Sequence, residues 1–169
     1  PSTVDNTEIY EIMYRTLFGD VLPSLIDGTP ENETLVGGEA NDLIRADIGD
    51  DVAAGGLGDD IIYGEEGDDI LRGDENSRSP GGTVGGNDTI YGGLGDDQIG
   101  GKTGNDQLFG DEGNDLIWGD DGDDLIDGGL GNDTLTGDDF SGGQGNDTFV
   151  LAVGEGIDTI VDCEVGIDL

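Results

Sequence analysis

Between residues 37 and 150 the chain places one apolar residue every nine positions and fills the intervals largely with glycine and aspartate. Eleven units share this frame: 37–45, 46–54, 55–63, 64–72, 83–91, 92–100, 101–109, 110–118, 119–127, 128–136 and 142–150. The clearest are GGLGDDIIY (55–63), GDEGNDLIW (110–118) and GGLGNDTLT (128–136). Place six is Asp in all eleven, and place five is Asn or Asp in all eleven. Place four is Gly in ten, with Ala40 the exception, and place eight is large and apolar in ten, with Ala53 the exception. A period this strict is the mark of a solenoid.

Each unit predicts a turn followed by a strand. In 110–118, Gly110 and Gly113 permit tight-turn backbone angles, and Asn114 and Asp115 tolerate turn conformations. Leu116, Ile117 and Trp118 then form a short strand in which only the middle side chain points inward. The same reading puts Leu35, Ile44, Ile62, Leu71, Ile90, Ile99, Leu108, Ile117, Ile126, Leu135 and Phe149 on one internal stripe. Turn, strand, turn, strand makes one coil of eighteen residues, so unit n stacks on unit n+2. The expected fold is all-β, a parallel roll closed by stacking of coils.

Residues 28–36 fit the frame as a worn copy, with Glu33 at place six and Leu35 at place eight. The expected roll therefore spans 28–150. Two insertions interrupt it at unit boundaries, 73–82 and 137–141, and both read as surface loops. In this frame Ala46 and Thr83 replace the first-place Gly, and Ala40 the fourth-place Gly, which predicts weaker turns there. Residues 1–27 form an N-terminal cap or linker. Within them Ile9, Met13 and Leu17 fall on one helical face, so the segment is either a short helix covering the first coil or an extended link to an upstream domain. Residues 151–169 read as the start of a C-terminal capping segment, cut short, with 157–162 as a strand.

Composition changes the picture. The chain has 169 residues, 35 of them Gly, with 41 acidic and 5 basic residues, no His and a formal charge of −36. Such a chain has too little apolar surface and too much like charge to fold unaided. The field repels phosphate, and the five cations are scattered, so nucleic acid and anionic membranes are poor partners. No apolar run approaches the roughly 20 residues of a membrane span. The single Cys163 allows no internal disulfide and reads as a small apolar residue.

A cation resolves the charge problem. Stacking brings place-six carboxylates together two units apart, where a hard dication turns repulsion into attraction and turn carbonyls complete an oxygen shell. All-oxygen, irregular donor sets suit calcium, whereas magnesium wants strict octahedra and zinc prefers the His and Cys ligands that are lacking. The expected metal residues are Asp42, Asp51, Asp60, Asp69, Asp88, Asp97, Asp106, Asp115, Asp124, Asp133 and Asp147, holding about six to nine ions. Glu33 with Asp51 makes a weaker pair, and the pairs completed by Asp88 and Asp147 each follow an insertion.

These units resemble the GGxGxDxUx nonapeptides of the RTX (repeat-in-toxin, haemolysin-type) calcium-binding proteins. The resemblance covers about two thirds of the chain. It implies a right-handed parallel β-roll with calcium in its turns, in a protein secreted by the type I route and folded outside the cell. It also implies adjacent domains of a larger parent, such as a secreted hydrolase or toxin.

Other functions fit less well. A His-dependent triad and a zinc-binding HExxH motif are excluded by composition. The acidic pairs are already explained as ligands, so the chain itself is not expected to be an enzyme. A calcium-rigidified adhesion or surface-layer spacer remains the alternative. Ice binding lacks the regular outward Thr ladder it requires. The place-nine aromatics Tyr63, Tyr91, Phe109 and Trp118 read as packing between adjacent coils, with a partner-binding strip as the second reading; the sequence names no protein partner.

Overall fold

The computed structural model of the protein describes residues 23–74, 85–138, 145–154 and 156–161. The described residues contain fourteen strands. The first seven are β1 (Leu25–Asp27), β2 (Thr34–Val36), β3 (Leu43–Arg45), β4 (Val52–Ala54), β5 (Ile61–Glu66), β6 (Ile70–Arg72) and β7 (Thr89–Leu94). The remainder are β8 (Gln98–Thr103), β9 (Gln107–Glu112), β10 (Leu116–Asp121), β11 (Leu125–Asp127), β12 (Thr134–Thr136), β13 (Thr148–Val150) and β14 (Thr159–Ile160). Odd strands form one seven-stranded sheet in the order β1-β3-β5-β7-β9-β11-β13, and even strands form the other. All pairings are parallel, and equivalent places lie side by side, as in Ile44↔Ile62 and Ile117↔Leu135. This is the parallel β-roll expected from the period, in which every strand pairs with the strand two further along.

The core is one file of side chains. Ile44, Ile62, Leu71, Ile90, Ile99, Leu108, Ile117, Ile126 and Leu135 are fully buried. Ala53 is buried in the same cluster, and Leu35 and Phe149 pack against it from the ends. Each unit contributes its place-eight residue to this core; place-seven and place-nine neighbours are half-buried or exposed in most units, with Ala54 and Thr136 buried at place nine.

Two features depart from the simplest expectation. Strands β5, β7, β8, β9 and β10 are six residues long rather than three, because they run on through the next turn. Pairing skips place one and resumes at places two and three, as in Gly93↔Asp111 and Leu94↔Glu112. The sheets also reach beyond 28–150: β1 pairs with β3 upstream and β14 with β12 downstream. The expected N-terminal helix lies outside the described residues. Among the described residues no helix is long and apolar enough to cross a membrane.

Candidate metal centres in the turns

The conformation of each turn assigns separate tasks to its glycines. Place four is left-handed in most turns, with Gly49, Gly67, Gly95, Gly104 and Gly113 among the examples. Place two is left-handed in most turns as well, even where it is not Gly, at Asp47, Glu65, Lys102, Asp111 and Asp120. Place one is constrained by space instead. A β-carbon on Gly92 would collide with Asp97 Oδ2 and lie 2.6 Å from the carbonyl of Gly110. On Gly101 it would collide with Asp106 Oδ2 and meet the carbonyl of Gly119 at 2.7 Å. The sequence reading gave places one and four the same conformational role. Where place one is Gly, the glycine is favoured because a carboxylate oxygen or a carbonyl crowds the point above it; Ala46, buried at the first place of its unit, is the exception.

This contact also locates the insertions. Gly73 crowds Asp88 Oδ2, and Gly137 crowds Asp147 Oδ2, as first-place glycines do in uninterrupted units. Gly56 N–H donates to Gly73 O at 3.0 Å and Asp120 N–H to Gly137 O at 2.8 Å, the bonds that join place two to place one in the next coil. The interrupted turns therefore begin Gly73-Asp74 and Gly137-Asp138, and resume with Gly85 at place three and Gly145 at place four. The residues in excess of the nine-residue period fall between Asp74 and Gly85 and between Asp138 and Gly145. The expected insertions at 73–82 and 137–141, on unit boundaries, and the assignment of Thr83 to place one are corrected accordingly. Excision leaves GDGGNDTIY and GDQGNDTFV, two regular units. Deleting 75–84 is accordingly expected to leave the calcium midpoint of folding within about twofold of the parent chain, a change under 0.5 kcal/mol. Circular dichroism across a calcium titration checks this; loss of folding would contradict the assignment.

The place-six aspartates form two ladders. One contains Asp42, Asp60, Asp88, Asp106, Asp124 and Asp147; the other contains Asp51, Asp69, Asp97, Asp115 and Asp133. In each rung Oδ1 accepts the backbone N–H of the aspartate one coil earlier, for example Asp88 N to Asp106 Oδ1 at 2.8 Å. The rungs to Asp88 and Asp147 keep register across the insertions, at 2.8 and 3.0 Å.

Oδ2 is treated differently. In Asp51, Asp60, Asp69, Asp88, Asp97, Asp106, Asp115, Asp124 and Asp133 it is buried and has no hydrogen-bond partner. Asp42, near the start of the roll, differs: its Oδ2 accepts Gly38 N–H at 2.6 Å. The Glu33 side chain turns into its own loop, accepting Thr29 N–H at 2.7 Å and Thr29 Oγ1–H at 2.9 Å. Among the described residues no three acidic, His or Cys side chains converge on a point. A cation in these turns would have to draw on backbone oxygens as well.

The electrostatics follow from this geometry. Burial is the main cause that pushes Asp60, Asp88, Asp97, Asp115 and Asp124 up from 3.8 to about 7. The same cause raises Asp106 to about 8 and Asp69 to about 6, and also raises Asp51 and Asp133. The backbone N–H bond to Oδ1 opposes the shift, and carboxylates in neighbouring rungs add to it. Two ion pairs join described residues, Arg45 with Asp27 at 2.8 Å and Lys102 with Asp120 at 2.7 Å, and neither involves a ladder aspartate. Buried, like-charged carboxylates with one uncommitted oxygen each call for protonation or a cation.

Two sets of residues were missed in the sequence reading. Place five forms its own exposed ladder of opposite polarity, in which Asn114 N–H donates to Asp96 Oδ1 at 2.7 Å and Asn132 N–H to Asn114 Oδ1 at 3.1 Å. Its signal was the unbroken Asn/Asp at that place. Asp158 extends the second place-six ladder, with Asp133 N–H 3.3 Å from its Oδ1. It belongs to a worn unit, VGEGIDTIV (153–161), recognisable by Gly156, Asp158 and Ile160 at places four, six and eight.

The aromatic strip is only partly as expected. Tyr63, Tyr91 and Phe109 stack along the odd sheet with centroids 5.0 and 4.9 Å apart. Trp118 sits on the even sheet, in register with Gly100 and Thr136, and does not join them.

The model of the RTX calcium-binding nonapeptide repeat matches residues 27–61, 46–77, 85–108, 100–135 and 137–149. One match ends at residue 77 and the next begins at Gly85, where the turn resumes. Comparison with curated proteins returns no match to this chain. Proteins with these repeats are typically secreted, and the repeat is a structural calcium-binding element rather than a catalytic one. With most of its length matched and its turns built as described, the chain belongs to the RTX calcium-binding nonapeptide repeat family, and its repeats bind calcium.

Proposed function

We propose that this chain is the extracellular β-roll of a larger secreted protein, and that calcium drives its folding. The observation that carries the reading is the row of buried Oδ2 atoms with no hydrogen-bond partner in nine ladder aspartates. Bound calcium supplies positive charge and an oxygen-coordinating centre that compensates their burial. The ladder aspartates from Asp42 to Asp147 are its side-chain ligands, and the first-place carbonyls beside them, such as that of Gly110 next to Asp97, are its backbone ligands. Each first-place glycine keeps the site open by having no β-carbon.

Coupling to folding follows from where the donors lie. Asp97 and Gly110 belong to successive coils and are brought together only when the coils stack. The unfolded chain has no such site, so binding free energy becomes folding free energy. Each ordered coil presents half a site to the next, which makes the transition cooperative. Affinity per site is of the order of 10⁻⁴–10⁻³ M, as in extracellular calcium modules. That range lies well above calcium levels inside cells, so the chain stays unfolded until type I export delivers it outside. An ion count of about six to nine follows from the two ladders. Residues upstream of β1 act as a cap or linker, the worn unit 153–161 stacked on β12 begins the C-terminal cap, and the activity of the parent protein resides in adjacent domains.

A calcium titration followed by far-ultraviolet circular dichroism, with magnesium as control, tests the reading. A steep, calcium-specific change from coil to β signal is expected. Full β signal in chelator, unchanged by calcium, would overturn it.

A further inference from the structure

Along the outer face of the odd sheet, where its long strands continue into the turns, lies a groove of about 680 Å³. One wall is the stack of Tyr63, Tyr91 and Phe109. The other includes Leu94 and Leu130, place-three residues that are 46% and 50% exposed. The long strands make the groove: β5, β7 and β9 cross it at place nine, bend at place one, and return at place three. Between the walls lie Gly93 and Gly129, both half-buried, so no side chain fills the floor there.

The groove is also acidic. Glu65 and Glu66 lie at one end and Asp111, Glu112 and Asp127 at the other, and none of its lining residues is basic. Burial, followed by the charges of Asp127 and Glu112, raises the carboxyl of Asp111. No three of these carboxylates converge as metal ligands would. The charge is spread along an apolar trough, which suits a long cation better than an ion. The ring stack ends at Phe109, because the next rung in register carries Asp127. The far side of the Phe109 ring is therefore next to a carboxylate, an arrangement that suits a guanidinium lying on the ring and pairing with the acid.

We propose that this groove is a docking site for an extended peptide segment in which arginine alternates with aliphatic residues. Arginines meet Asp111, Glu112, Asp127 and the face of Phe109, and aliphatic side chains cover Leu94 and Leu130. A simple polyamine satisfies the charges but leaves the apolar walls bare, so the peptide is the better complement.

The test uses the full chain in calcium at physiological ionic strength, titrated with a decapeptide of alternating Arg and Leu. Isothermal calorimetry reads binding, and circular dichroism confirms that each variant is folded. The triple change Asp111→Asn, Glu112→Gln and Asp127→Asn is expected to weaken binding at least about tenfold, or 1.4 kcal/mol. Asn at 111 tolerates the left-handed backbone there. Phe109→Leu, which keeps every charge, is expected to weaken it about threefold to fivefold. The control Asp59→Asn, Asp121→Asn and Asp123→Asn removes the same charge elsewhere and is expected to leave affinity within about twofold. Equal loss in the control, or spermine binding as tightly as the peptide, would overturn the proposal and leave only attraction to net charge.

Discussion

Asp106→Asn is expected to change the stability of the roll in opposite directions with and without calcium. The amide keeps the shape of the side chain, and its oxygen still accepts the Asp88 N–H that Asp106 Oδ1 accepts at 2.8 Å. What changes is Oδ2, now an NH2 group beside the Gly119 carbonyl, which crowds the same point above Gly101. In chelator the variant has lost a buried charge that burial and its Asp124 and Asp88 neighbours disfavour, and has gained a donor facing an acceptor. It should therefore form β structure more readily than the parent chain. In calcium it has lost a ligand shared by two coils, and its folding midpoint should rise at least about tenfold in calcium concentration. A matched change at Asp120, whose carboxylate is paired with Lys102 at 2.7 Å outside the ladders, should move the calcium midpoint far less. Circular dichroism titrations of the three proteins check this. Equal effects at 106 and 120, or a loss in both conditions at 106, would contradict the assignment of Oδ2 to calcium.

Acid should fold the calcium-free chain. The ladder carboxyls have folded-state values raised from 3.8 to about 7 at Asp60, Asp88, Asp97, Asp115 and Asp124 and to about 8 at Asp106. A raised acid binds its proton more tightly in the folded state than in the unfolded one. Its contribution to stability is therefore fully present below about pH 3.8 and is lost as pH rises through 7 and 8. In chelator the β signal should appear on acidification, beginning below about pH 7 and well established by pH 5. Protons and calcium compete for the same oxygens, so the calcium midpoint should also rise as pH falls. A transition centred near pH 4 would instead report ordinary surface carboxylates, and no acid-induced structure at all would mean that burial does not govern these groups.

Most of the fold was legible because one unit, repeated, fixes its own neighbours. The nine-residue spacing of Ile90, Ile99, Leu108 and Ile117 could be satisfied only by stacking every second unit, and the strands pair in that order. Register survived two insertions for the same reason: the ladder aspartates on either side continue to bond. What sequence alone misplaced was the point where chain is added. Thr83-Val84 and Gly142-Gly143 precede the right residues in sequence, but Gly73 and Gly137 occupy the crowded point beneath Asp88 and Asp147. Adjacency in the chain hid adjacency in space. Asp158 was hidden because Val153 and Ile157 stand at places where the repeat prefers Gly and Asn or Asp. The left-handed second place was not legible at all, since Glu65, Lys102 and Asp111 adopt it without a common side-chain signature. Non-glycine residues there cost about 1–2 kcal/mol each, which the pairing of places two and three on either side must offset.

The most direct test of the account is the position of calcium itself. Crystals grown in calcium and measured for its anomalous scattering should show density beside Oδ2 in both ladders, next to the first-place glycines, from Asp51 to Asp133. Calcium on the exposed place-five residues such as Asp96 and Asp123, with none beside the buried Oδ2 atoms, would contradict it.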